Sequence, residues 1–288
     1  MNIQHFFDPR TWTLTYVVWD AASHDAVVID PVLDFDPASG KIWTESLDAL
    51  EAFLGREALT LRMILETHAH ADHLSGAHEL KRRTGAPVAI GAQITDVQRT
   101  FAPFFGLGPE VAQDGSQFEH LLSDGEQLTF GGLSLTALHT PGHTPACMSF
   151  KVGDAVFTGD ALFVPDTGVG RCDFPGGSAD SLYQSVHERL YALPDQTRVF
   201  VGHDYQNEGR ALQFETTIGE SKARNQHLAQ ATSREAFVTF RTGRDAGLAA
   251  PRLLLPSIQV NVDAGRLPPP DAHGVRALRV PLRIPANL

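Results

Sequence analysis

The segment LRMILETHAHADHLSGAHELKRR, residues 61–83, places His68, His70, Asp72 and His73 within six residues, directly behind an apolar run. In extended backbone His68 and His70, two apart, point to the same side. Asp72 and His73 fall at the turn into the next element, where the chain can aim them back at the same point. Imidazole nitrogens and a carboxylate suit zinc or iron. One histidine here would read as a satisfied polar group in a loop. Four ligand-type side chains in six positions read as a metal site. Three further fragments share the layout. ALHTPGHTPACMSF places His143 after a strand, in a Pro-Gly loop. AVFTGDALF puts Asp160 at a strand end, with Gly159 allowing close backbone approach. VFVGHDY puts His203 at a strand end. Alone, Asp160 could cap a helix and His203 could be a buried donor; together they could converge at one edge of a sheet pair.

The elements that must position these residues are legible in the hydrophobic pattern. TLTYVVWD and DAVVID read as strands joined by AASH. Thr44 is expected to cap a helix with Leu47, Leu50, Phe53 and Leu54 on one face, stopped by Gly55. LRMILET is a continuous apolar run, so a strand buried on both faces. A helix using Leu74, Ala77 and Leu80 follows, basic in its last turn and ended by Gly85. APVAIG is a short strand, and EQLTFGGLSLTALHT a hairpin about Gly-Gly. CMSFKV and DAVFTGD form another hairpin-like pair. SADSLYQSVHERLYAL is a Ser-capped helix burying Leu182, Val186 and Leu190. TRVFVGHDY is another buried strand. Strands, then mixed elements, then strands again favour an α+β arrangement of two packed sheets with helices outside. We read residues 1–205 as one domain carrying the candidate ligands and 206–288 as a C-terminal extension docked on it. In that extension SREAFVTF is a short helix, APRLLLPSIQVNV is apolar but broken by Pro251 and Pro256, and LPPPD is a rigid extended piece.

Composition bounds the function. The chain has 288 residues, 42% hydrophobic and 20% charged, enough for a substantial core. A net charge of −11 argues against nucleic acid and anionic membranes as partners, although the field inside a cleft can oppose the net sign. No apolar run approaches the length of a membrane span. The opening MNIQHFFDPRTWTL lacks the pattern of a signal peptide. Two cysteines, Cys147 and Cys172, make no disulfide framework, so a reducing cytoplasm is expected.

THAHADH, HTPGHTP, GDALF and GHDY, in that order over residues 67–205, together resemble the metallo-β-lactamase superfamily. That resemblance implies an αββα four-layer sandwich with the metal site at one edge of the stacked sheets. It also implies two metal pockets, one of His68, His70 and His143, the other of Asp72, His73 and His203, with Asp160 between them. A finer resemblance lies in FVPDTGVGRCDFPGG, which is similar to the Gly-x-Gly-Arg-x-Asp-Phe segment of persulfide (sulfur) dioxygenases, relatives of glyoxalase II. It implies one Fe(II) per chain held by His68, His143 and Asp160, with His70, Asp72, His73 and His203 as supporting residues or ligands of a second metal. Two histidines and a carboxylate form a facial triad with open positions. The implied reaction is oxidation of glutathione persulfide, or another low-molecular-weight thiol persulfide, by O2 to sulfite and thiol in sulfide detoxification. With two zinc or mixed metals the same pocket would lower the pKa of bound water and attack a thioester, as in glyoxalase II. A third reading, a metal-stabilised binding module, conflicts with the open site, because structural zinc closes with four ligands.

Around this centre, Arg171 is expected to pair its planar fork with substrate carboxylate or other negative charge, or else with Asp173. Tyr205 either donates its hydroxyl to substrate or water, or packs. Asp166 and Asp173 are expected to structure loops. Cys147 reads as a small buried hydrophobe; Cys172, beside Arg171, could have a lowered pKa and be prone to oxidation. Lys222 and Arg224 lie in ESKARNQHL, which only loosely resembles the glutathione-binding pattern of glyoxalase II, since Gln226 and His227 replace its Pro-Phe. A solvated helix face accounts for both. The apolar run after Ser233 packs on the core or on a second copy in a homodimer.

Overall fold

The computed structural model describes residues 1–108, 111–282 and 284. The first half runs β1 (Asn2–Asp8), β2 (Thr13–Trp19), β3 (Asp25–Ile29), β4 (Val32–Asp36), β5 (Lys41–Trp43), α1 (Glu45–Arg56), β6 (Thr60–Leu65), β7 (Leu74–Ser75), α2 (Ala77–Thr84), β8 (Val88–Gly91), α3 (Ile94–Phe105) and β9 (His120–Leu122). The second half runs β10 (Gln127–Phe130), β11 (Leu133–His139), β12 (Met148–Val152), β13 (Ala155–Phe157), α4 (Ala179–Gln184), β14 (Arg198–Phe200), β15 (Glu215–Thr217), α5 (Ile218–Arg224), α6 (Arg234–Asp245) and α7 (Leu254–Asn261). A π-helical turn, Ser185–Leu190, continues α4.

Among the described residues the strands form two six-stranded sheets, in the orders β1-β2-β3-β6-β8-β9 and β10-β11-β12-β13-β14-β15, and a small sheet β5-β4-β7. Strand periodicity explains the layers. Leu14, Tyr16, Val18, Val27, Ile29 and Leu65 of the first sheet meet Leu135, Phe150, Phe157 and Phe200 of the second in one core. The alternate residues Val17, Val28, Ile64 and Val88 turn to the other face, against Leu47, Leu50 and Phe53 of α1, Leu80 of α2, Val97 and Phe101 of α3, and Ile258 and Val260 of α7. Leu182 of α4, Ile218 of α5 and Phe237 of α6 pack with the second sheet. Each such apolar side chain contributes about 1.5–3 kcal/mol by burial. The result is the αββα sandwich.

Several local expectations change. β1 carries no strong alternation and is held by its antiparallel pairing with β2. Gly55 lies inside the last turn of α1, which runs on to Arg56, and Thr44 Oγ1 donates to Asp48 Oδ2 instead of capping a backbone N–H. Leu74 belongs to β7, not to α2. Pro256 does not break the apolar C-terminal run: it is the third residue of α7, in a first turn where a missing N–H costs no hydrogen bond. The second sheet takes its edge strand β15 from beyond residue 205, and α7 packs against the first sheet.

Candidate metal centre

β3 pairs with β6, and β13 with β14, in parallel, and these four strands end at one edge. Asp30 follows β3, the Glu66–His73 loop follows β6, Asp160 follows β13 and His203 follows β14. His143 arrives from the loop between β11 and β12. The two sheets are tied at this edge, where Leu14 N donates to Gly202 O (2.9 Å) and Thr13 bridges His203. All the sequence-predicted ligand residues converge here. His143 Nε2 lies 3.6 Å and His68 Nε2 4.0 Å from Asp160 Oδ2. His203 Nε2 lies 3.3 Å from Asp160 Oδ1 and 3.1 Å from Asp72 Oδ2. Asp72 Oδ2 is also 3.6 Å from His73 Nδ1. The groups His68–His143–Asp160 and His70–Asp72–His203 each bring one ligand atom per residue within 4.8 Å of one another.

A second layer fixes which nitrogen faces inward. His143 Nδ1 donates to Arg171 O (2.6 Å) and His203 Nδ1 donates to Trp12 O (3.3 Å). Thr67 Oγ1 donates to Asp30 Oδ2 (2.8 Å), so His68 Nδ1 donates to Thr67 Oγ1 (2.9 Å). In each ring the occupied Nδ1 leaves Nε2 bare for the centre. His70 is reversed: its Nε2 lies 3.1 Å from Asp30 Oδ1 and 3.3 Å from Glu66 Oε2. Burial alone would lower its pKa, but these two carboxylates raise it well above the usual imidazole value. Burial, then His70 and His143, push His68 well below that value.

Sequence reasoning missed three supports. Asp30 ends DAVVIDP with the same strand-end signal as Asp160 and could have been found that way. Glu66 adjoins the histidine motif. Asn261 carried no signal: from α7 its Nδ2 donates to His70 O and His73 O (2.8 Å each), and its Oδ1 accepts from Ser75 N (2.8 Å).

The GVGRCDF loop, residues 168–174, lies directly on Asp160. Gly170 N donates to Asp160 O (3.0 Å), and a Cβ at Gly170 would stand 2.3 Å from that oxygen. Gly159 likewise lets the backbone pass Thr67 Oγ1, 2.6 Å from where its Cβ would be. The Arg171 fork grips Asp173 through Nε and Nη2 (2.6 Å each), and Nη1 donates to Ala249 O (2.9 Å). The alternative pairing expected from sequence, Arg171 with Asp173, is the one formed. Asp166 is held by Arg210, which also binds Asp204. Cys172 does not meet the expectation of a lowered pKa: it is buried, and burial and Asp245 push its thiol up despite Arg241. Lys222 pairs with Asp195 (2.6 Å) and Arg224 with Glu220 (3.3 Å), and neither lines the central cavity.

That cavity, about 510 Å³, has Asp72, His143 and Asp160 in its lining with Trp12, Phe163, Val169, Arg171 and Tyr205. Tyr205 stacks on His203 (ring centroids 5.7 Å apart). Although the residue is 44% exposed, desolvation at the cavity, then the negative charge of Asp160 and Asp72, push its hydroxyl above the usual phenol value, so it remains a proton donor.

The donor set fits a metal ion. His68 Nε2, His70 Nδ1, Asp72 Oδ2, His73 Nε2, Asp160 Oδ1 and His203 Nε2 are buried without hydrogen-bond partners among the described residues. Orphaned buried polar atoms are rare and costly, and a cation among them would satisfy several at once. The family model described as metallo-beta-lactamase superfamily matches residues 13–203. The chain belongs to the metallo-beta-lactamase superfamily. It is 48% identical to a probable metallo-hydrolase of Burkholderia pseudomallei, over 98% of this chain and 99% of that protein. It is 46% identical to a beta-lactamase hydrolase-like protein of Xylella fastidiosa, covering 98% of this chain but only 64% of that protein. The mitochondrial persulfide dioxygenase ETHE1 of Bos taurus is 30% identical over 93% of this chain and 91% of its own. The crystal structure of ETHE1 from Myxococcus xanthus superposes with a TM-score of 0.74 at 33% identity, covering 92% of this chain and all of that one. Superfamily membership and the donor set together mark this edge as the candidate metal site. Among the described residues no helix is long and apolar enough to cross a membrane.

Proposed function

We propose that this chain is an iron(II) persulfide dioxygenase, with His68, His143 and Asp160 holding one iron. It would convert glutathione persulfide, O2 and water to glutathione and sulfite. The observation that carries the reading is the GVGRCDF loop: its Gly170 rests on Asp160 and its Arg171 carbonyl orients His143. The segment that resembles persulfide dioxygenases is thus built onto two of the three proposed ligands. Full-length similarity to the two ETHE1 proteins supports it. When bound, ferrous iron would supply adjacent open positions and electron exchange with oxygen. The chain's own residues do the rest. Phe163 and Val169 make part of the cavity wall apolar and limit water. Tyr205 offers a hydroxyl that stays protonated. The Asp72–His203 pair can hold a proton beside the reacting sulfur. Arg171, its fork engaged by Asp173, positions His143 through its backbone. Free, buried Cys147 and Cys172 suit a reducing cytoplasm.

A second reading, a dinuclear thioester hydrolase, is favoured by the complete second group His70–Asp72–His203 and by the hydrolase names of more similar relatives. Oxygen consumption on metal-quantified protein tests the two. Rapid uptake with glutathione persulfide at about one iron per chain supports the dioxygenase. Thioester cleavage with two metals and no oxygen uptake overturns it.

A further inference from the structure

β1 and β2 are joined by residues 9–12, with Asp8 and Thr13 opposite each other in the register. This turn separates two cavities. Thr11 lines the metal cavity. Asp8 lines a second cavity of about 260 Å³, which meets the surface beside the exposed Pro9, Glu45 and Ala49. Arg10 borders both. A continuous line of hydrogen bonds crosses the partition. Thr11 Oγ1 lies 2.7 Å from Asp8 Oδ2, Thr13 Oγ1 2.8 Å from Thr11 Oγ1, and His73 Nδ1 3.3 Å from Thr13 Oγ1. Thr13 and Asp8 are both buried. Counting hydrogens fixes the direction of the line. Asp8 is ion-paired with Arg10 (Nε to Oδ1, 3.2 Å), and its Oδ1 also accepts from Arg10 N (3.1 Å), so this carboxylate only accepts. Arg10 in turn is shared with Asp34 and Glu45. Thr11 spends its single hydroxyl proton on Asp8 Oδ2. Thr13 must then donate to Thr11, and His73 Nδ1 to Thr13. The other oxygen near that nitrogen, Asp72 Oδ2, is 3.6 Å away, beyond hydrogen-bond length. Every donor in the line therefore points outward, from the metal edge to Asp8.

We propose that Thr11 and Asp8, with Thr13 behind them, are the proton outlet of the metal cavity, delivering product protons to the second cavity. This rests on the reading of the metal edge as catalytic and holds for either reaction assigned to it. Glutathione persulfide, O2 and water give glutathione, sulfite and two protons; thioester hydrolysis sets free one. In the transfer step Asp8 Oδ2 bonds the Thr11 hydroxyl proton as the Thr11 O–H bond breaks. Thr11 Oγ1, through its remaining lone pair, takes a replacement proton from water in the metal cavity, or through Thr13. Asp8 then passes its proton to water in the second cavity and returns to the carboxylate. No electrons move. Hydrogen-bonded chains polarise one another, which favours such concerted transfer. Protons thus leave by a route apart from the space that the substrate fills, and a bound substrate does not block them.

Two measurements test the outlet. Nitrogen NMR of the zinc-loaded protein reads the direction of the line without turnover: the His73 proton should sit on Nδ1, and a bare Nδ1 overturns the proposal. Kinetics read the transfer itself. Asp8→Asn keeps the size of the side chain but takes up no proton. Its kcat, on whichever reaction the wild type catalyses, should fall roughly 10-fold or more at unchanged KM and metal content. Thr11→Val, which leaves the Asp8–Arg10 pair intact, should fall alike. Rescue separates proton transfer from structure. A small buffer that enters the second cavity should restore kcat of Asp8→Asn as its concentration rises, and a bulky buffer of the same strength should not. Wild-type kcat in both variants, or a loss that no small buffer restores, overturns the proposal. If the wild type takes up no oxygen with glutathione persulfide but cleaves a thioester, the assigned reaction fails, and the same variants test the outlet on the thioester.

Discussion

Arg171 reaches the metal centre through its carbonyl, which accepts a 2.6 Å hydrogen bond from His143 Nδ1, while its side chain is turned to Asp173. The two halves of the residue can therefore be separated by mutation. Arg171→Lys keeps the carbonyl and loses the two-point grip on Asp173. Metal content should stay at the wild-type level while turnover falls, because the loop is held less tightly. Metal analysis alongside steady-state kinetics checks this; unchanged kinetics would make the fork dispensable.

Asp160 should be indispensable to metal binding. It meets His143, His68 and His203 within 4.0 Å. Asp160→Ala leaves clustered imidazoles with one fewer compensating charge, so the protein should purify without stoichiometric metal and without activity. In the wild type, chelation should lower the melting temperature, since an ion that binds only the folded chain stabilises it. A variant with full metal content contradicts the assignment.

Asn261 satisfies two carbonyls of the metal loop and the Ser75 amide of β7, all buried. Asn261→Ala strands them. The expected loss is about 1–3 kcal/mol in urea unfolding, with metal affinity reduced roughly 10-fold or more. Wild-type metal affinity in this variant would show that the loop holds its shape unaided.

The Arg241–Asp245 pair is buried under the GVGRCDF loop, and Asp245 Oδ2 also accepts from Cys172 N (2.7 Å). Arg241→Ala leaves a buried carboxylate without its counter-ion and should cost about 3–5 kcal/mol. Arg241→Met with Asp245→Leu should recover part of this, the Cys172 amide remaining unpaired. Denaturant titration of wild type, single and double variants reads both.

His227 gives a pH signature away from the ligands. Burial, then Arg244 and Arg241, lower its pKa from 6.5 to about 4 against the opposing Asp245. Between those values the unfolded chain binds a proton that the folded chain refuses. Stability from this group is therefore complete above 6.5 and falls as the pH drops toward 4. His227→Gln should flatten that part of the stability–pH curve relative to wild type; an unchanged slope would place the titration elsewhere.

Much of the centre was legible because its ligands sit at strand ends with local punctuation. His68, His70, Asp160 and His203 each follow an apolar run, and Gly159 marks the close approach that Thr67 confirms. What escaped the sequence depends on contacts between remote segments. Asn261 lies in a run punctuated by two prolines, yet Pro256 falls in the one turn where it is harmless. Arg244 and Arg252 become neighbours of the site only through folding of the C-terminal segment. Arg171 stands out by motif, but its role is divided between backbone and side chain, which no residue type can announce.

The link from Asn261 to the His70 carbonyl spans 191 positions. At typical rates of synthesis the histidine motif emerges about 10–40 s before the amide that braces it. A nascent chain therefore displays every proposed ligand well ahead of its final brace. Metal loading would then belong to the end of biosynthesis, and a premature stop just before α7 should yield a polypeptide that has all the coordinating side chains but an unbraced loop to present them.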